Sequence, residues 1–381
     1  MKIDSVKTAI VGCGMISRVY LENTRTKFRI LDVVGCADIL PEAAQRRAEE
    51  FGIRAMTVDE IIADKSIEMV INLTAPMAHY EVIRRMLESG KHVYTEKVMC
   101  VELEHARELV RLATEKGLYL GSAPDTFLGS GIQTARFALD SGMIGGPTGV
   151  VAVLNRDNGV GAEFIPYIAR KGGGIGFDVG IYYMTAINYL MGPVDRVCGF
   201  MSTRNPKRTH YLPSKENFGE EYEVECENLF SGALHFASGV SGTLQFNSEC
   251  IMNPFPFLTI YGTQGILYVP DPDTFGGEVR VLRRGAKEPF VLPSNHGYAE
   301  NSRGLGAAEM AWALRAGRPP RAGKEMALHA LEVLTGVAIS SETGQTYVPE
   351  STFVPTPPLP QGFQRVTDFA DFLADEEAAL V

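Results

Sequence analysis

The stretch Thr8-Ala9-Ile10-Val11-Gly12-Cys13-Gly14-Met15-Ile16-Ser17 decides how this chain is read. Four residues with strand character run straight into a glycine turn, and a helical pattern follows. A dinucleotide-binding βαβ unit needs such a turn. The first glycine permits the tight bend, the second lets backbone approach a pyrophosphate, and a third small residue lets helix and strand pack closely. Here that third residue is Ser17. A helix starting near Met15 points its N-terminal N–H groups at phosphate oxygens, so Gly12, Gly14, Met15 and Ile16 are the expected phosphate-binding residues. A second apolar run, Ile30 to Ala37, ends on Asp38, where an acidic residue meets the adenosine ribose. A plain βαβ unit with a tight turn and no ligand would carry the same signature, so its surroundings matter.

With 381 residues the chain predicts two domains with substantial cores. Hydrophobic residues make up 45% and charged residues 22%, as in an ordinary globular protein. The net charge is −10 with no Lys/Arg block, which argues against a nucleic-acid partner but not against anionic small molecules. Cys13, Cys36, Cys100, Cys198, Cys226 and Cys250 form no CxxC pair and no ligand-like Cys/His spacing. They read as reduced thiols of a cytoplasmic protein without a metal site. Gly12 and Gly14 cut short the N-terminal apolar run, so no signal peptide is expected. The uncharged stretch from Ile251 to Pro270 is broken by prolines, glycines and Gln264. It reads as two strands and a turn, not a membrane span, and no membrane partner is expected.

Residues 1–124 alternate strand-like runs (Thr8–Val11, Ile30–Ala37, Met69–Leu73, His92–Tyr94, Tyr119–Gly121) with helical patterns (Ile16–Lys27, Glu42–Phe51, His79–Ser89, Val101–Lys116). Pro41 sits at a helix start, and Gly52, Gly90 and Gly117 sit just past helix ends. This alternation predicts an α/β domain, a doubly wound parallel sheet binding a dinucleotide at the carboxyl ends of its strands. Residues 125–381 read as an α+β domain for substrate binding and oligomerisation. Its features are one long apolar helix, roughly Asp178 to Leu190, a large and mainly antiparallel sheet over about 194–295, and late helices near Leu305–Ala316 and Lys324–Ser341. Asp271–Gly277 reads as a hairpin loop, and Pro355–Pro360 as an extended surface segment.

Two strand ends carry chemistry. Leu73-Thr74-Ala75-Pro76-Met77-Ala78-His79 follows the fourth strand, and Tyr94-Thr95-Glu96-Lys97 ends the fifth. Thr74, Pro76, His79 and Glu96 are thereby expected beside the cofactor. Taken alone, His79 reads as a helix-start residue or a satisfied core histidine. Most lysines are solvated charges, but a strand's carboxyl end makes Lys97 a catalytic candidate.

Gly172-Gly173-Gly174-Ile175-Gly176-Phe177-Asp178-Val179-Gly180-Ile181-Tyr182 completes an ordered set with Gly12–Ser17, Asp38, Pro76/His79 and Glu96-Lys97. The set resembles the Gfo/Idh/MocA oxidoreductase family across the whole chain, most strongly over the first 125 residues and 172–192. The resemblance implies an NAD-dependent oxidoreductase that moves a hydride between the nicotinamide and a secondary hydroxyl or ketone of a sugar, cyclitol or related polyol. It further implies Lys97, Tyr182 and Asp178 as catalytic residues, and a homodimer or homotetramer. Three departures stand out. Val98 replaces the family's usual proline after Glu-Lys. Tyr182 replaces the commoner histidine, a variant also found in glucose–fructose oxidoreductases and dihydrodiol dehydrogenases. Ala123-Pro124-Asp125-Thr126-Phe127 stands where many members carry Asn-Arg-Phe, so Asp125 is expected to supply a polar substrate contact instead of an arginine.

The chemistry supports this reading independently. Oxidising a secondary alcohol requires a base for the hydroxyl proton. A phenol titrates near pH 10 unperturbed, and a nearby ammonium such as Lys97 would favour the phenolate. On a regular helix Asp178, four residues before Tyr182, shares its face and could hold a substrate hydroxyl or orient Lys97. The alternatives are a core tyrosine and a helix N-cap, and Tyr183 is the other tyrosine to consider. Asp38 with Ile39 beside it favours NAD over NADP, because a carboxylate repels a 2′-phosphate and no arginine is adjacent. Arg46 and Arg47 are expected in solvent. By position alone, Asn155–Asp157 and Phe164–Tyr167, among them Asn155 and Tyr167, are expected to shape substrate preference. Two other functions fit the same residues: a non-catalytic NAD/sugar sensor, and a glycosidase that uses tightly bound NAD for oxidation–elimination. The substrate, the carbon oxidised and the physiological direction stay open at this level.

Overall fold

A computed structural model describes residues 4–252, 257–294 and 296–360. Its described residues within Met1–Ser130, Asn295–Leu328 and Thr356–Val381 form one compact unit, and those within Gly131–Ser294 and His329–Pro355 form another. The chain first passes between the units after Ser130 and later returns to the first unit. Of the expected second domain, residues 253–256, 295 and 361–381 lie outside the described residues.

In the first unit β1 (Val6–Val11), α1 (Met15–Thr26), β2 (Leu31–Ala37), α2 (Pro41–Phe51), β3 (Arg54–Ala55), α3 (Val58–Ala63), β4 (Met69–Asn72), α4 (Pro76–Glu88), β5 (His92–Thr95), α5 (Leu103–Glu115) and β6 (Leu120–Ser122) follow one another. The strands pair in parallel in the order β3-β2-β1-β4-β5-β6. All four residues of β4 are buried, as expected for a central strand covered on both faces. The order reverses between β1 and β4, which places the ligand crevice of such a sheet at their carboxyl ends. The sequence reading lacked β3 and α3. A two-residue strand has no periodicity to detect, but α3 opens with a legible capping box. Glu60 N donates to Thr57 Oγ1 at 3.2 Å and Thr57 N donates to Glu60 Oε2 at 2.7 Å.

The second unit holds α6 (Ser130–Asp140), β7 (Pro147–Asn155), α7 (Asn158–Ala162), α8 (Ile181–Met191), β8 (Val194–Ser202), β9 (Lys207–Thr209), β10 (Glu221–Glu223), β11 (Leu229–Phe236), β12 (Ser241–Asn247), β13 (Leu258–Gly262), β14 (Gly265–Val269), β15 (Val279–Arg283) and β16 (Phe290–Leu292). Eight strands form one sheet, β16-β15-β14-β13-β7-β12-β11-β8, antiparallel throughout except for the parallel β12–β7 pair. Asp271–Gly277 joins β14 to β15 as read, and Ile251–Pro270 supplies β13 and β14, apart from residues 253–256. Along β11 and β12, buried Phe230, Leu234, Phe236, Leu244 and Phe246 alternate with exposed Ser231, Ala233, Ser241, Thr243 and Gln245. The residues turned outward here are small or polar, and Phe200 on β8 stands out at 79% exposed.

Two further helices follow, α9 (Leu305–Ala316) and α10 (Lys324–Thr343). In the first unit α9 is tied down by charge as well as by apolar burial. Arg315 pairs with Glu68 at 2.7 Å, and fully buried Glu309 takes Arg318 at 2.6 Å and Arg321 at 2.8 Å. Among the described residues no helix is long and apolar enough to cross a membrane.

Candidate active site

The phosphate turn comes first. Gly12 has φ +102°, and a Cβ there would lie 2.5 Å from the Leu73 carbonyl carbon, so only glycine fits where β1 leaves the sheet beside β4. Gly14 caps α1 with bare, exposed backbone, and nothing stands within 4 Å of where its Cβ would be. Ser17 Oγ donates to Gly14 O at 2.6 Å and accepts Arg47 Nε at 3.0 Å. Arg47 is therefore not the solvated residue expected from sequence: its guanidinium also reaches Gly14 O at 3.2 Å and braces the turn. Asp38 closes the turn from β2. Its Oδ2 accepts Cys13 N–H at 2.7 Å and its Oδ1 accepts Leu40 N–H at 2.9 Å, which leaves lone pairs on both oxygens for a diol. Met15, Ile39, Leu40 and Met77 are exposed just beyond β1, β2 and β4, Ile39 at 94%. Large apolar side chains standing in water at strand ends suit a flat aromatic base. These residues fit a dinucleotide.

Next to it lies the Lys97 segment. Asn72, which the sequence reading passed over, accepts Thr74 N–H at 3.3 Å and Thr74 Oγ1 at 2.8 Å and donates to Thr95 Oγ1 at 3.0 Å. A polar residue ending an apolar strand was the available signal. Glu96 Oε1 accepts the Tyr20 hydroxyl at 2.7 Å, and its Oε2 accepts Lys97 N–H at 3.1 Å. Lys97 is half-buried, and its peptide bond to Val98 is cis. Pro76 is buried at the first turn of α4. His79 is fully buried, with Nδ1 2.6 Å from Val98 O and Nε2 2.9 Å from Thr74 O. Burial pushes its pKa down although both carbonyls favour the charged ring. Both nitrogens face backbone, so His79 clamps the Thr74 and Lys97-Val98 segments together. That is the satisfied core histidine, not a side chain reaching a cofactor.

In the second unit the expected long helix begins differently. Gly176–Gly180 forms a π-type turn that runs into α8. Asp178 lies in this wide turn, so the regular four-residue spacing to Tyr182 does not apply. Both side chains are buried, Asp178 to 8% and Tyr182 to 6% exposure. Tyr167 Oη donates to Asp178 Oδ1 at 3.2 Å, which joins two of the residues singled out in the sequence. Tyr183, the alternative tyrosine, is fully buried, and its hydroxyl donates to Asp271 Oδ1 at 3.0 Å. Burial and Asp271 push its pKa up, so it is a core residue. Asn155 is half-buried at the end of β7, and its buried Oδ1 has no hydrogen-bond partner among the described residues. Asp125, expected at the substrate, instead holds backbone. It is 2% exposed in the first unit, and its Oδ2 accepts the N–H groups of Gly304 and Gly306 at 3.0 Å each, capping α9. Burial raises its pKa to about 6 against those two bonds.

Among the described residues no group of three or more His, Cys, Asp or Glu could hold a metal ion. Phosphate turn, acidic residue and switch point together define a dinucleotide-binding α/β protein whose second unit is built on a mixed sheet. Residues 6–123 match the model described as the oxidoreductase family with NAD-binding Rossmann fold, and residues 132–268 match the GFO/IDH/MocA C-terminal domain. The chain belongs to the Gfo/Idh/MocA family of oxidoreductases, and its first unit carries the family's NAD-binding Rossmann fold. It is 25% identical over 267 residues to scyllo-inositol 2-dehydrogenase (NAD(+)) of Bacillus subtilis, covering 69% of this chain and 73% of that one. It is 31% identical over 144 residues to an oxidoreductase of Schizosaccharomyces pombe, covering 37% of this chain and 39% of the relative. The fold is that of levoglucosan dehydrogenase solved with NADH and L-sorbose: TM-score 0.78 at 18% identity, over 91% of this chain and 99% of the other.

Proposed function

We propose that the protein is an NAD-dependent dehydrogenase acting on a secondary hydroxyl of a sugar, cyclitol or related polyol. The observation that carries this is the buried Asp178–Tyr182 turn, with Tyr167 on Asp178, in a chain whose other unit presents Lys97 at a strand end beside a dinucleotide turn. Gly12, Gly14, Met15 and Ile16 hold the pyrophosphate, Asp38 holds the ribose diol, and Thr74, Pro76 and Glu96 shape the nicotinamide end. NAD supplies a hydride acceptor when bound. Tyr182 takes the hydroxyl proton, Asp178 with Tyr167 orients the substrate hydroxyl, and Lys97 is the catalytic lysine of the first unit. Asn155 Oδ1 offers a further acceptor to a polyol. The inositol dehydrogenase among its relatives supports a cyclitol as the first substrate to try. Asp38 favours NAD over NADP, as its carboxylate repels a 2′-phosphate. Six free thiols suit a reducing compartment, and the cytoplasm is proposed on that ground.

The test is a panel of inositols and sugars with NAD and NADP, followed by the absorbance of reduced nicotinamide. Net reduction with one polyol supports the dehydrogenase. A glycosidase with tightly bound NAD gives product and no net reduction, and a sensor gives neither.

A further inference from the structure

Glu227 lies against the turn that carries Asp178. It precedes β11, is 8% exposed, and its Oε1 accepts Gly176 N–H at 3.0 Å. Its backbone carbonyl accepts Ile175 N–H at 3.3 Å, while Phe177 N–H and Asp178 N–H both turn to Gly174 O, at 3.0 and 2.7 Å. A Cβ on Gly174 would fall 2.0 Å from Glu227 Oε2, and one on Gly173 would fall 2.1 Å from Tyr167 O. The glycine run is therefore what lets the chain pass over one buried carboxyl group.

We propose that Glu227 is a positioning residue of the reaction: its carboxylate holds the Gly174–Gly180 turn in the geometry that sets Asp178 and Tyr182, and protonation releases that hold. The inference rests on Asp178 and Tyr182 being catalytic, as proposed above.

The physical grounds are these. N–H groups in a first helical turn have no partner within the helix, and a buried ionised carboxylate is a strong acceptor for them. Burial raises the Glu227 pKa to about 7, its own N–H and that of Gly176 pull it down, and Asp178 raises it. Protonation removes the negative charge that strengthens the bond to Gly176 N–H, so the hold weakens as pH falls. Other titratable groups face it. Cys226 is adjacent, and burial raises its thiol to about 12, so it is neutral. Arg208, Tyr222 and Glu249 line the same small void. Arg208 is bonded to Glu249 and, at 3.2 Å, to Asp157, so its charge is met locally. Burial raises the Tyr222 phenol, which stays neutral. Asp178 is the charged neighbour that Glu227 feels most.

The experiment compares wild type, Glu227→Gln and Tyr182→Phe. Amide hydrogen exchange over Gly174–Gly180, corrected for the intrinsic pH effect, needs no substrate. It should accelerate in wild type as pH falls below about 7 and be insensitive to pH in Glu227→Gln. With the substrate found in the panel, kcat of Glu227→Gln should fall on the order of 10²-fold, the cost of a displacement of about 1 Å, at unchanged KM for NAD. Exchange in wild type that ignores pH, or a Glu227→Gln protein with wild-type kcat, overturns the proposal. If Glu227→Gln does not fold, Gly174→Ala must reproduce the kcat loss, and an unchanged Gly174→Ala overturns it equally. If Tyr182→Phe also keeps wild-type kcat, the reading of the active site falls and the Glu227 role with it. If Tyr182→Phe is impaired and Glu227→Gln is not, the Glu227 role alone falls.

Discussion

Tyr182 and Tyr183 are neighbours, and both are buried. Tyr183 is fully buried on Asp271, whereas Tyr182 follows the turn that carries Asp178. If the Tyr182 phenol takes the proton, Tyr182→Phe should lower kcat about 10²–10⁴-fold with little change in KM, because only the ionisable hydroxyl is lost. Oxidation needs the deprotonated phenol, so the wild-type rate should rise with pH through that ionisation. The Phe variant should lose this limb, and Tyr182→His should recover part of the rate with its limb nearer the imidazole range. Measuring kcat against pH in the three proteins checks this, and an unchanged Phe profile would leave Lys97 as the base. Lys97→Ala should cost about 10²–10⁴-fold in turnover while NAD binding stays within a modest factor; wild-type turnover would remove Lys97 from the mechanism. At Asp38, replacement by Ser together with Ile39→Arg should shift the ratio of kcat/KM toward NADP, through lost repulsion and a gained charge-assisted contact. A wild-type protein that already prefers NADP would contradict the role given to this carboxylate.

Among elements, the segment following α10 is pinned at several points, one of them a buried acid. Glu332 accepts the Tyr347 hydroxyl at 2.9 Å, Glu350 N–H at 3.0 Å and Ser351 N–H at 2.8 Å. Burial opposes its charge, yet bonds from Ser351, Glu350 and Tyr347 prevail and hold its pKa near 2, below the ordinary 4.5. The depressed pKa gives stability that is complete above pH 4.5 and is lost as pH falls toward 2. Glu332→Gln should therefore cost about 2 kcal/mol at neutral pH and progressively less in acid. Urea unfolding of both proteins across that range measures it, and a pH-independent difference would assign the loss to packing. At this scale the first unit was legible where periodicity was strong: β1, β2, β4, β5, β6 and their helices lie within a few residues of their expected bounds. The π-type start of α8 was not legible, because its width is set by Glu227 and by side chains packed against glycines, all distant in sequence.

For the whole molecule, oligomerisation remains a proposal that concerns the outer face of the second unit's sheet. Phe200, Cys198, Val151 and Val153 border a shallow depression of about 580 Å³ on that face. A homodimer or homotetramer through it should appear in light scattering at micromolar concentration, and Phe200→Glu should shift it toward monomer. A wild-type protein that scatters only as monomer would refute it. Sequence by itself determined the doubly wound unit, the phosphate turn, Asp38 as its acidic partner and the Glu96-Lys97 and Asp178–Tyr182 motifs. The first three are local patterns of period and turn chemistry, which local physics writes, whereas the two motifs are what the resemblance to the family implies. Tertiary structure alone decided what each polar side chain meets. It turned His79 and Asp125 from ligand contacts into a clamp and a helix cap, and it brought Arg47 onto the phosphate turn. It also returned α9 to the first unit. Those outcomes depend on groups far apart in the chain, such as Asp125 with Gly304 and Glu68 with Arg315, which meet only once the chain has folded.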